Sequence, residues 1–107
     1  MNDILANIIT KNKCTVRLTY ERWSHIVESH DYMAGNLNLV IDTIEEPDYI
    51  VKGNMDALIA VKHFKKTNIS EKYSAAVYKE GDDNFVITAF LTSDKERIIK
   101  KGVLWQK

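Results

Sequence analysis

The chain has 107 residues, 45 % apolar and 28 % charged, and its fifteen basic and fifteen acidic side chains cancel to zero net charge. That length is one domain, 1–107, able to bury a single hydrophobic core without metal or disulfide help. The neutral balance excludes a polycation built to coat nucleic acid, and no apolar run approaches the ~18 residues of a membrane-spanning helix. Cys14 stands alone, which excludes an intramolecular disulfide and suits a reducing compartment. Met1–Thr10 carries Asp3 where a secretory leader would be basic, so the expectation is a cytoplasmic chain with no membrane partner.

In chain order, the apolar N-terminal stretch to Thr10 reads as a short helix, and Cys14–Thr19 alternates like an opening strand. Thr19 suits a helix N-cap with Glu21 in the first turn. Trp23, Ile26, Val27 and His30 form one helical stripe that Gly35 ends. A second helix covers about Asn38–Glu45, with Leu39, Val40 and Ile44 inward and Pro47 as its stop. Strands follow at Tyr49–Val51 and Ala57–Phe64. Tyr73–Lys79 and Phe85–Thr92 then form a hairpin about the polar turn Glu80–Asn84. Ser93 and Glu96 match a capping box, Gly102 a C-cap, and Val103–Gln106 a final edge strand. The expected class is α+β, with N-terminal helices packed on one face of a four- to five-stranded antiparallel sheet.

The hairpin is the most informative stretch. In its second strand Phe85, Ile87, Ala89 and Leu91 form an apolar set that suits the core, while Val86, Thr88, Phe90 and Thr92 point the other way. Pairing about the turn centre sets Tyr78, Ala76, Ser74 and Lys72 beside the second set. Placing Ile59 and Val61 inward sends Lys62 and Phe64 to the same open face. Lysines, hydroxyls and aromatic rings interleaved are what a single-stranded nucleic-acid site needs. A solvated face of good strand formers has the same composition.

The histidines offer acid/base chemistry but no metal site. His25 and His30 lie about 140° apart around a helix, unlike ligands one turn apart. His30 falls in the apolar stripe, as a hydrogen-bonded core histidine would. His25 points to the polar side, and His63 faces inward near a strand end. No phosphate loop, dinucleotide fingerprint or nucleophile elbow is present.

Several segments in order carry a resemblance: Arg22–His30, Leu39–Asp48, Lys72–Tyr78, Val86–Thr92 and Lys101–Trp105. Together they look like the small phage and bacterial toxin-like domains of the barnase–EndoU–colicin–RelE nuclease superfamily, over roughly Thr15–Trp105. The resemblance implies helices on an antiparallel sheet and RNA cleavage without metal or cofactor. It implies RNA as a partner, and a cognate antitoxin or immunity protein. The matching positions are His25, His30, Lys72, Thr88 and Thr92 for catalysis and Trp105 for substrate. Facing adds Lys62, Tyr78 and Phe90 to the substrate set. The chain departs from the pattern at Asn54–Val61, apolar where related chains often carry arginine or tyrosine. The expected function is therefore a metal-independent endoribonuclease of toxin type. The alternative is a non-catalytic protein- or RNA-binding module on the same fold.

Overall fold

In the computed structural model, which describes residues 3–107, seven strands and three α-helices follow one another along the chain. They are β1 (Ile4–Ile9), β2 (Thr15–Thr19), α1 (Tyr20–Ser29), α2 (Leu37–Glu45), β3 (Tyr49–Lys52), β4 (Leu58–Phe64), β5 (Lys72–Lys79), β6 (Phe85–Thr92), α3 (Lys95–Ile99) and β7 (Val103–Gln106). All strands join one sheet in the order β1-β2-β6-β5-β4-β3-β7. The class is α+β as expected, but the sheet is larger than four or five strands and mixed. β2 and β6 run parallel and meet at a single register pair, Arg17 with Phe85.

The N-terminal stretch is a strand, not a helix, and two strands precede the first helix. A short apolar run does not declare its own period. Here pairing decides it: β1 lies antiparallel to β2 with Ile8 opposite Val16, and both side chains are fully buried. Thr19 caps α1 as expected, its Oγ1 accepting the Arg22 N–H at 3.1 Å. The helix stops at Ser29, before Gly35, and His30 becomes its C-cap, with Asp31–Gly35 forming a 3-10 turn. α2 buries Val40, Thr43 and Ile44 and ends ahead of Pro47. At α3 the cap is Asp94 rather than Ser93: Asp94 Oδ1 accepts the Arg97 N–H at 3.2 Å, while Ser93 Oγ receives Lys72 Nζ at 2.6 Å. Gly102, at φ +123°, turns the chain out of that helix in a conformation costly for other residues.

The helices occupy both faces of the sheet. α1 and α2 cover the inner face, where Ile8, Leu18, Ile26, Val40, Ile44, Ala60, Ala76, Tyr78, Ala89 and Leu91 form the main core. α3 covers part of the outer face, where Ile98 packs with Val51, Ile59, Val61 and Ala75. Ile59 and Val61 are thus buried, but under α3 and not under α1 and α2. The sheet also curls: Lys11, at the tip of the β1–β2 hairpin, places Nζ 4.8 Å from the Trp105 ring on β7, the strand at the opposite edge.

A β-bulge redistributes the faces of the hairpin. Tyr78 lies opposite Val86 as expected, but Val77 is opposite Thr88, and Ile87 is the extra residue between these pairs. Beyond the bulge Ala76 faces Ala89, Ser74 faces Leu91 and Tyr73 faces Thr92. Thr88, Phe90 and Thr92 therefore lie on the outer face, as expected. Val86, Ser74, Tyr78, Lys62 and Lys72 do not: they turn toward the helices, Val86, Ser74 and Tyr78 being buried, Lys62 pairing with Ser74 and Lys72 sharing the side of Ser74 along β5. Ile87 is partly exposed rather than core.

Candidate functional site

α3 reaches only part of the outer face, and the stretch along β6 and its flanks stays open. Phe85, Thr88, Phe90 and Thr92 alternate along this strip from the strand geometry of β6, and each is partly exposed. Phe90 borders the α3 cluster, which fixes its ring along one edge.

One end of the strip is built by the parallel contact with β2. Val16 and Leu18 go to the core, so the alternating Arg17 points outward, and its guanidinium carbon stands 5.8 Å from the Phe85 ring centre. Arg17 Nη1 donates to Asp83 Oδ1 at 2.7 Å and to the Asn84 carbonyl at 3.3 Å. The hydrogen bond from Arg17 holds the Asp83 carboxyl below its usual range. The same bond, with the charge of Asp83, raises the Arg17 pKa further. Beside them a depression of about 180 Å³ is lined by Arg17, Thr19, Glu21, Arg22, Phe85 and Val86.

At the other end the His30 ring sits 5.9 Å from Phe90 and 5.7 Å from Tyr32. Thr92 Oγ1 accepts the Asp94 N–H at 3.1 Å, and Lys72 reaches the neighbouring Ser93. His30 and Phe90 thus meet near the end of β6, close in sequence to Thr92, while Lys72 reaches Ser93 from the helix side of β5. His30 is not buried in the helical stripe; as the C-cap it leans around the strand edge toward the outer face.

The other expected site residues lie elsewhere. His25 is exposed on α1, 3.8 Å from Glu21 one turn back. Lys62 pairs with Asp42 of α2 at 3.2 Å, which spends its charge on the helix side. Tyr78 is fully buried and has no surface to offer a substrate. Among the described residues its hydroxyl has no hydrogen-bond partner, and burial, with the nearby Glu80 charge, pushes its pKa far above the ordinary phenol value. Trp105, opposite Ile50 on β7, lines a separate cavity of about 460 Å³ with Lys11 and Leu104. β5, β4 and β3 separate it from the strip.

Arg17 and Phe85 are the site residues that sequence reasoning missed. The alternation of β2 carries a signal for Arg17 outward, since Val16 and Leu18 claim the core. No local signal foretells that β2 lies beside the start of β6, 66 residues or more away in the chain. Among the described residues no three His, Cys, Asp or Glu side chains converge to hold a metal ion. Among the described residues no helix is long and apolar enough to cross a membrane. Compared with family models, curated proteins and solved structures, the chain matches none of them.

Proposed function

We propose that the chain binds single-stranded RNA along the outer strip of β6. The carrying observation is that Phe85 and Phe90 stand partly exposed on one strand, with Arg17 over the first ring. The rings stand five positions apart, about 16 Å at ordinary strand rise, so two bases along an extended chain engage them. Stacking on an aromatic side chain contributes about 1–3 kcal/mol per base, and Arg17 meets a phosphate only in competition with Asp83. Neutral overall charge makes the affinity modest and dependent on salt. The test is fluorescence anisotropy of a short single-stranded RNA at low salt. Phe85→Ala and Phe90→Ala should each weaken binding by about 1–3 kcal/mol, and a duplex of the same sequence should bind less well. A folded wild type that binds no single strand would end this reading.

Metal-independent cleavage is a second reading, and the position of His30 against Phe90 favours it. In that chemistry a base takes the proton of a ribose 2′-hydroxyl, the oxygen attacks the adjacent phosphate, and an acid protonates the departing 5′-oxygen. The Thr88 and Thr92 hydroxyls would meet the charge that develops on phosphorus-bound oxygen. A toxin of this kind would be silenced by an antitoxin covering the strip. Under this reading His30→Gln lowers cleavage by about 10²-fold or more with little change in RNA affinity, and a chelator has no effect. RNA left intact by wild type over a broad pH range would retire cleavage and leave binding standing.

A further inference from the structure

A second polar groove lies on the same face, beyond the Thr92 end of the strip. Tyr73 is the register partner of Thr92, and its ring forms one wall with Tyr49. Lys95 reaches between them, its Nζ 5.3 Å from each ring centre and donating to Tyr49 Oη at 3.2 Å. His63 packs on Tyr73 with ring centres 5.0 Å apart. Gln106 and Lys107 complete a cavity of about 300 Å³ that also touches Asp48.

The arrangement is that of a prepared anion site. An ammonium has three N–H donors, and Tyr49 accepts one, leaving others for a ligand. Two ring faces and a hydroxyl already restrict the side chain, so little further ordering is lost on binding. The hydrogen bond to Tyr49 raises the Lys95 pKa, which keeps it charged. Of the neighbouring carboxylates, Asp48 lines the cavity and accepts the His63 backbone N–H at 2.8 Å, and Glu71 pairs with the His63 ring.

We infer that the Lys95 groove takes the terminal phosphate of a nucleotide whose strand continues onto the Phe90–Phe85 strip. The inference rests on the RNA reading of that strip. A phosphate monoester brings more charge and more acceptor oxygens than an internal diester, and Tyr73 of the groove is the register partner of Thr92 at the end of the strip. A free nucleotide has the same chemistry, so the experiment includes both sources.

Anisotropy titrations would use one RNA oligomer with a 5′-phosphate, a 3′-phosphate or no terminal phosphate, with a nucleoside monophosphate as competitor. For wild type, one phosphorylated form should bind about tenfold more tightly than the unphosphorylated oligomer. Lys95→Gln should erase that preference while leaving the unphosphorylated affinity unchanged, and Lys95→Arg should retain part of it. Equal binding of all three oligomers, or a preference that survives Lys95→Gln, would overturn the groove assignment and leave the strip reading intact. Binding of the monophosphate alone, with no oligomer bound and loss in Lys95→Gln, would assign the groove to free nucleotides and overturn the strip. Absence of binding by every probe would overturn both.

Discussion

The Tyr32 hydroxyl bridges the two backbone groups of Leu91, accepting its N–H at 3.2 Å and donating to its carbonyl at 3.4 Å. β2 pairs with β6 only at Phe85, so Leu91 has no strand neighbour on that side. One side chain takes the place of the missing strand. Tyr32→Phe should therefore cost about 1–3 kcal/mol, because both backbone groups lose their partner in a partly buried position. Denaturant titration reads the loss. A change below about 0.5 kcal/mol would mean that solvent reaches this edge.

Tyr78 presents the opposite case. Its hydroxyl is buried and unpartnered among the described residues, so Tyr78→Phe should be neutral or stabilising by up to about 1–3 kcal/mol. The folded phenol holds its proton far above the ordinary pKa, whereas the unfolded one releases it near pH ~10. The folded state then binds more protons, and stability falls as pH rises above that point. Tyr78→Phe should flatten this alkaline decline. A clear loss of stability at neutral pH would instead reveal a hydrogen-bonded water at the hydroxyl.

Arg17 and Asp83 give an acid dependence of the reverse kind. The Asp83 pKa is depressed in the fold, so its contribution is present above the unfolded carboxylate pKa. It is lost as pH falls through the lower, folded one. Both side chains are substantially exposed, which makes the effect small and sensitive to salt. The stability difference between wild type and Asp83→Asn should vanish in acid and shrink at high salt. A difference independent of pH would show that Asp83 works through the loop backbone alone.

Lys62 tests the face assignment directly. Because it pairs with Asp42 beneath α2, Lys62→Met should leave RNA affinity unchanged. If Lys62 met phosphate, as the alternation alone suggested, the slope of affinity against salt would fall by about one ion.

The parts of this fold legible in the sequence are those with local signals. Thr19 ahead of a helical stripe, Pro47 after α2, Gly102 and the polar turn between β5 and β6 each act within a few residues. The N-terminal strand was not legible, since Ile4–Ile9 declares itself only by pairing with β2. Nor was the bulge at Ile87. It leaves Tyr78 opposite Val86, as counting from the turn implies, then shifts every later pair by one residue. That shift moved Tyr78, Ser74, Lys62 and Lys72 from the expected site to the helix side. Thr88, Phe90 and Thr92 kept their place because they lie beyond the bulge on the strand that carries it. His30 joined them for a reason unrelated to helical periodicity: the helix ends one residue earlier.

The meeting of Lys11 with Trp105 bears on how the chain is made. As synthesis proceeds, the first hairpin emerges long before either of its lasting neighbours exists. Its sheet partner, Phe85, and the ring beneath its tip, Trp105, both belong to the final quarter of the chain. Until then Ile8, Val16 and Leu18 shelter against α1 and α2 and, once β4 and β5 are made, against Ala60, Ala76 and Tyr78. The sheet curls only after β7 has been made, and topologies dominated by such distant pairings fold slowly. A ribosome-bound intermediate should remain sensitive to protease at the Thr10–Cys14 turn until β7 has cleared the exit tunnel.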